Sequence, residues 1–181
     1  HDLLLANDSL WPSLKADLHI HFGKSFVSKR IKQFLRTHKP KQSWLIHPNP
    51  IGRPDPFLCL THVVNTDAQS FISGAEWATK SWKTWNSAKI TPLQTAFFAK
   101  PNWTEIHLYQ AITEAIEQKE AEVHIANSLA VRYINWTLAK FNTTEVFSNR
   151  GTSGIDGCLS TAVGASQKTS KLIISIIGDV A

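Results

Sequence analysis

Short apolar runs alternate with segments of helical periodicity along most of this 181-residue chain. A run of four to eight apolar residues closed by glycine or proline is typical of a buried strand, whereas apolar residues spaced three and four apart indicate an amphipathic helix. Strands that alternate with helices favour βαβ units and a parallel sheet. The sequence therefore predicts an α/β fold.

The first hundred residues contain three predicted strands and two predicted helices. The strands lie at 16–23, 44–47 and 60–64, and the helices lie at 26–38 and 67–80. Asp67 precedes the second helix and is expected to cap it. The alternation of these elements predicts a Rossmann-like parallel-sheet domain over residues 1–101.

A looser stretch at residues 81–101 interrupts the pattern, and we place a domain boundary near residue 101. The alternation then resumes in a second α/β segment at 102–181. Its predicted elements are a helix at 104–119, a strand at 122–126, a helix at 128–140, a strand at 145–148, a helix at 159–166 and a strand at 171–177.

Composition and charge narrow the classes of function. The net charge is +5 at pH 7, but the basic residues lack the interleaved aromatic residues of a nucleic-acid-binding module. No apolar run approaches the roughly 20 residues of a membrane helix, so we expect no membrane insertion. Cys59 and Cys158 are far apart and lack metal-ligand spacing, which favours a reducing cytoplasm.

Two pairs of residues sit where helices follow strands. Lys29 and Arg30 lie near the start of the first helix, where cations oppose the helix dipole. They are either solvated cations or part of an anion site. Ser128 and Arg132 are four residues apart on one helical face, and a hydroxyl beside a guanidinium suits a carboxylate. Capping alone would account for Ser128 but leaves Arg132 unexplained.

The strongest signal is the glycine-rich segment SNRGTSGIDG at residues 148–157. Glycines mixed with small polar residues give a loop that exposes its backbone between a strand and a helix, where ligands bind in open α/β sheets. Asp179 follows the last predicted strand and is a plausible Mg²⁺ ligand there. His19 and His21 alternate along a strand, and we expect them to pack on one sheet face.

Four segments resemble the MenD family of menaquinone-pathway synthases, which are thiamine-diphosphate enzymes. The segments are GKSFVSKRIKQF, IANSLAVR, VFSNRGTSGIDGCLSTAVG and IIGD, and their order and spacing are also similar to those of the family. The resemblance covers most of the chain and is loose over residues 50–100. It implies a substrate-contacting middle domain at 1–101 and the N-terminal part of the diphosphate-binding domain at 102–181.

The resemblance also implies roles for individual residues, by their positions in these segments. The implied substrate-binding residues are Lys29, Arg30, Ser128, Arg132 and Arg150. Ser153 and Ile155 would contact thiamine diphosphate, and Asp179 would bind Mg²⁺. The family's activating glutamate would lie outside this chain, so the stretch alone is expected to be inactive.

The reaction implied is decarboxylation of 2-oxoglutarate on thiamine diphosphate, followed by addition of the remaining unit to isochorismate. The full-length protein would be a homo-oligomer, either a dimer or a tetramer. Two alternatives stay open. One is a thiamine-diphosphate enzyme of the acetohydroxyacid synthase type, although the chain has no GxGxxG nucleotide motif. The other is a non-catalytic Rossmann-like module that binds an acidic ligand.

Overall fold

The protein, in a computed structural model, is described at residues 2–23, 26–49, 55–76, 95–96, 98–99, 102–117, 119–137 and 144–179. It divides into two compact units, His1–Ala99 and Lys100–Ala181. Each unit contains a three-stranded parallel sheet with helices. The predicted α/β class is therefore confirmed.

The first unit carries its sheet in the order β1-β2-β3. Its strands are β1 (Leu18–Phe22), β2 (Gln42–Ile46) and β3 (His62–Val64), and its described helices are α1 (Trp11–Leu14), α2 (Lys29–Thr37) and α3 (Ala68–Gly74). In the parallel register Ile20 pairs with Trp44, and Trp44 pairs with His62. All three strands and both helices predicted for this region are present.

Local capping decides where the helices of this unit begin. The Ser28 hydroxyl accepts the Ile31 N–H at 3.0 Å at the start of α2. Asp67 accepts the Ser70 N–H at 2.9 Å at the start of α3, as its side chain predicted. Helix α3 ends at Gly74, and the predicted continuation beyond residue 76 lies outside the described residues.

The core of the first unit packs the N-terminal segment against α2. Phe34 and Leu35 on the inner face of α2 are almost fully buried. The other buried members of this cluster are Leu4, Leu5, Leu14 and Phe57. Burial of side chains of this size stabilises a fold by about 1.5–3 kcal/mol each, so the N-terminal segment is an integral part of the unit.

The second unit carries its sheet in the order β5-β4-β6. Its strands are β4 (Ala121–Ile125), β5 (Glu145–Phe147) and β6 (Leu172–Ile176), and its helices are α4 (Glu105–Ile116), α5 (Leu129–Thr137) and α6 (Cys158–Ser166). The central strand β4 is buried throughout most of its length. Since the three strands are parallel, their carboxyl ends meet at one edge of the sheet.

Two sequence expectations differ from the structure or fall outside it. The helix predicted to start at Ser128 starts at Leu129, because Ser128 adopts a left-handed conformation with φ 65°. The predicted linker at 81–101 lies outside the described residues apart from 95–96 and 98–99. Among the helices of the described segments, none combines the length and the apolar character needed to cross a membrane.

Two histidines of β1 pack together under Phe57. The rings of His19 and His21 stack at 5.3 Å, and the Phe57 ring lies edge-on to both at 4.9 and 5.1 Å. Burial lowers the pKa of His19 from 6.5 to about 4, with a further contribution from His21. Burial also lowers the pKa of His21, against the opposite influence of Asp55. Both rings are therefore neutral in the folded unit at neutral pH.

Acidification should destabilise the first unit as the pH falls from about 6.5 towards about 4, because the unfolded chain binds protons that the folded unit excludes. The contribution of His19 near pH 4 is on the order of 1–2 kcal/mol, less than the full pKa shift implies, because the ring is partly exposed to solvent. The variant His19→Asn should therefore lose less thermal stability than the wild type between about pH 7.5 and about pH 4.5, as measured by scanning calorimetry.

The matched control is His62→Gln, since the His62 side chain is exposed on β3. This variant should keep the wild-type loss of stability in acid. Equal losses in the wild type and in His19→Asn would show that the buried pair does not govern the acid sensitivity.

Candidate functional site

A cleft of about 460 Å³ opens at the carboxyl edge of the second unit's sheet. Its walls come from α4, from the start of α5, from the loop before α6 and from the residues that follow β6. Ligands of parallel α/β sheets bind at this edge, where loops of several strands converge. Its lining includes Glu105, Tyr109, Ser128, Tyr133, Ile155 and Asp179.

Three residues predicted from the sequence line this one cleft. Ser128 follows β4, Ile155 lies in the glycine-rich loop, and Asp179 follows β6. They come together because β4 and β6 are hydrogen-bonded neighbours. The pairing continues one residue past β4, where the Ala126 N–H donates to the carbonyl of Ile176, the last residue of β6, at 2.9 Å. A hydroxyl, an apolar side chain and a carboxylate thus face a common space.

Arg150 is hydrogen-bonded to Asn127, a residue that lines this cleft. The Arg150 Nη1 donates to the Asn127 Oδ1 at 2.6 Å. The side chain of Arg150 is half-buried, and within the described residues it has no carboxylate partner. A partly desolvated guanidinium without a counter-charge favours an anionic ligand.

The other two predicted residues of this unit, Arg132 and Ser153, are not part of the lining of the cleft. Arg132 is half-buried on α5, and the described residues offer it no carboxylate. Ser153 is exposed in the glycine-rich loop with φ 55°, and its hydroxyl lies 3.4 Å from the Arg150 carbonyl. Their roles toward substrate and cofactor stay predictions.

Lys29 and Arg30 belong to the first unit, at the beginning of α2. The Lys29 side chain is exposed. The Arg30 Nη1 donates to the Asp2 carbonyl at 3.3 Å, and the Ser28 hydroxyl donates to the Asp2 carboxylate. Arg30 therefore helps to hold the N-terminal segment against α2, which sequence reasoning missed. Substrate contact by Lys29 and Arg30 stays a prediction.

A tyrosine pair and a glutamate also line the cleft, and the sequence did not single them out. The rings of Tyr109 and Tyr133 lie 4.9 Å apart, and the Tyr133 hydroxyl donates to the Glu105 carboxylate. This hydrogen bond raises the pKa of Tyr133, while burial and then Glu105 raise the pKa of Tyr109. Helical periodicity predicted the helix at 104–119 but gave no sign of these contacts.

Asp179 is the residue of this unit that the sequence predicts as a metal ligand, and it lines the cleft. The described residues contain no group of three or more histidine, cysteine, aspartate or glutamate side chains that could hold a metal ion. A carboxylate at the mouth of a cleft nevertheless has the oxygen donors that Mg²⁺ prefers. Asp179 and Ile155 line the same cleft, and ligation of a magnesium ion by Asp179 stays a prediction.

Comparison with known proteins identifies similar sequences along the whole chain. The family described as "Middle domain of thiamine pyrophosphate" matches residues 1–123. This match covers the first unit and continues through α4 into β4 of the second.

Curated relatives share the name 2-succinyl-5-enolpyruvyl-6-hydroxy-3-cyclohexene-1-carboxylate synthase. The one from Cytophaga hutchinsonii is 34% identical over 191 residues, which cover 100% of this chain and 34% of the relative. The one from Flavobacterium johnsoniae is 34% identical, covering 96% of this chain and 32% of the relative. The one from Porphyromonas gingivalis is 33% identical, covering 99% and 33%. The chain thus spans about a third of the length of these relatives.

The backbone of Ser128 yields a prediction about stability. A left-handed conformation costs a residue with a Cβ about 1–2 kcal/mol, which glycine avoids while losing more entropy on folding. We expect Ser128→Gly to leave the free energy of unfolding unchanged or raise it by up to about 1 kcal/mol. Urea unfolding measures this value.

Ser128→Ala is the matched control, because it also removes the hydroxyl but retains the Cβ. It should be less stable than Ser128→Gly. A glycine variant less stable than the alanine variant would mean that the left-handed backbone of Ser128 stores no strain.

Proposed function

We propose that the full-length protein is a thiamine-diphosphate-dependent synthase, since this chain belongs to the family of thiamine pyrophosphate enzyme middle domains. In this proposal it decarboxylates 2-oxoglutarate and joins the remaining unit to isochorismate. One observation carries the proposal: a single cleft gathers Ser128, Ile155 and Asp179, with the guanidinium of Arg150 anchored to its wall.

The charge of the site supports acidic substrates. Both 2-oxoglutarate and isochorismate are dicarboxylates, so their binding requires cations that protein carboxylates do not already neutralise. Arg150 and Arg132 meet this requirement within the described residues of the second unit. A guanidinium can bind a carboxylate through two parallel hydrogen bonds, which fixes orientation as well as charge.

We assign substrate binding to five residues. Arg150 and Arg132 would bind carboxylates, and the Ser128 hydroxyl, exposed in the cleft, would donate to a substrate oxygen. Lys29 and Arg30 of the first unit are likewise proposed as substrate-binding residues. For Arg30 this role would coexist with its hydrogen bond to the Asp2 carbonyl.

We assign cofactor binding to Asp179 and Ile155, which line the same cleft, and to Ser153 in the glycine-rich loop. Asp179 would bind Mg²⁺ through its carboxylate, Ile155 would pack against thiamine diphosphate, and Ser153 would contact it from the loop. When bound, thiamine diphosphate supplies the electron sink for decarboxylation. The residues of this chain then serve to position the substrates and to balance their charge. We further propose that the full-length protein is a cytoplasmic homo-oligomer.

The proposal predicts that the full-length protein consumes 2-oxoglutarate and isochorismate only with both thiamine diphosphate and Mg²⁺. The decisive assay follows carbon dioxide release and mass-spectrometric formation of the adduct, with each cofactor omitted in turn. The stretch 1–181 alone should be inactive, since its described residues include no cluster of side chains that could hold a metal ion.

Pyruvate in place of 2-oxoglutarate is the control substrate, because it lacks the second carboxylate. Turnover of pyruvate with no turnover of 2-oxoglutarate would contradict the proposal and favour an enzyme of the acetohydroxyacid synthase type. Binding of 2-oxoglutarate without any turnover in the full-length protein would favour a binding module.

A second prediction concerns Arg150. Arg150→Ala in the full-length protein should reduce kcat/KM for 2-oxoglutarate or isochorismate by the equivalent of about 2–5 kcal/mol, since a partly buried carboxylate would lose its partner. The affinity for thiamine diphosphate should change little. Steady-state kinetics and cofactor titration measure the two quantities.

The matched control is Lys171→Ala, which removes a cation of the same unit that pairs with Glu145 at 3.2 Å. Its kinetics should resemble those of the wild type. A loss of thiamine diphosphate affinity in Arg150→Ala as large as its loss of kcat/KM would reassign Arg150 to the cofactor.

A further inference from the structure

The side chain of Asn127 is the most fully hydrogen-bonded group at the carboxyl edge of β4. Only 3% of the residue is exposed. Its Nδ2 donates to the Asn149 carbonyl at 2.8 Å and to the Gly154 carbonyl at 2.6 Å. Its Oδ1 accepts from the Arg150 Nη1 at 2.6 Å. Both amide hydrogens and the amide oxygen are therefore engaged with the glycine-rich loop.

The partners of Asn127 determine which way its amide is oriented. Backbone carbonyls can only accept hydrogen bonds, and a guanidinium can only donate. A flipped amide would direct its oxygen at two carbonyls and its NH₂ group at a guanidinium. Since every contact would then be repulsive, one orientation is possible, and it directs an acceptor at Arg150.

We propose that Asn127 is a positioning residue that closes the loop at 150–153 and orients the Arg150 guanidinium toward a substrate carboxylate. The two carbonyls that it binds belong to Asn149 and Gly154, which flank this segment on either side. One amide anchored on β4 thus joins both ends of the segment. The part of the inference that concerns the substrate rests on the proposed function; closure of the loop does not.

The neutrality of the amide explains why this position suits asparagine. An aspartate would still accept from Arg150, but it would neutralise the guanidinium and place negative charge against two carbonyl oxygens. The amide holds Arg150 in place while its positive charge stays available. The Arg150 Nε is buried and lacks an acceptor among the described residues, so the guanidinium is not saturated by the protein.

Cleavage by trypsin measures opening of the loop at 150–153 independently of enzymatic activity. Cleavage between Arg150 and Gly151 requires the loop to open and the guanidinium to leave Asn127. In the full-length protein with thiamine diphosphate and Mg²⁺, Asn127→Ala should be cut there about 10-fold faster than the wild type or more, because the population of the open loop rises. Hydrogen exchange of peptides covering 148–157 should accelerate in parallel.

The kinetic test is a double-mutant cycle. Asn127→Ala should reduce kcat/KM for 2-oxoglutarate by about 10- to 100-fold, with thiamine diphosphate affinity nearly unchanged. If Asn127 acts through Arg150, the pair Asn127→Ala with Arg150→Ala should be no worse than Arg150→Ala alone, within about 3-fold. A purely structural role would instead give additive losses.

Two further variants keep the outcome interpretable. Asn127→Asp has the same shape, and it should accelerate exchange of the loop and weaken 2-oxoglutarate binding even if the alanine variant folds poorly. Thr144→Val is the matched control, because it removes a buried hydrogen bond of the same unit, from the Thr144 hydroxyl to the Lys119 carbonyl at 2.9 Å. It should leave cleavage at Arg150 unchanged.

The outcomes separate this inference from the proposed function. Wild-type cleavage and exchange rates in both Asn127 variants would overturn the inference, even in an active synthase. Faster cleavage in the variants of a protein that turns over neither substrate would uphold the loop closure and overturn the proposed function. Accelerated cleavage with additive kinetic losses would overturn the action through Arg150.

Discussion

The second unit depends on one buried amide, that of Asn127, which follows its central strand. A buried amide left without partners would cost about 1–3 kcal/mol for each unmet group, so β4 and the glycine-rich loop must keep their relative placement. The same contacts position Arg150 beside the cleft that Ser128, Ile155 and Asp179 line. The hydrogen bonds of Asn127 therefore hold both the loop at the edge of the sheet and the charge of Arg150 in place.

Much of the fold could be predicted from the sequence, because apolar patterns and capping interactions between residues close in sequence determine its strands and helices. Apolar runs became strands, and the predicted strand at 44–47 is β2 at Gln42–Ile46. Asp67 caps α3 as its side chain predicted. The observed start of a helix differs from the predicted start where backbone conformation determines it. At Ser128 the left-handed conformation delays the start of α5 by one residue.

The site could be predicted only in part. Residues that follow neighbouring parallel strands must converge, so Ser128 and Asp179 were predictable from topology. The partners of Asn127 lie 22 to 27 residues away in the chain, and periodicity carries no information about such contacts. The bond between Tyr133 and Glu105 was missed for the same reason. For Arg30 the sequence suggested an anion site, whereas the structure also gives it a role in holding Asp2.

In the proposed site, the edge of this sheet presents Arg150 to a substrate carboxylate while Asn127 holds it. A crystal structure of the full-length protein with thiamine diphosphate, Mg²⁺ and 2-oxoglutarate would reveal this contact. We expect a substrate carboxylate within hydrogen-bonding distance of the Arg150 guanidinium, with the bond from Arg150 to Asn127 intact. A substrate bound elsewhere, or an Arg150 side chain turned away from Asn127 and paired with a protein carboxylate, would contradict it.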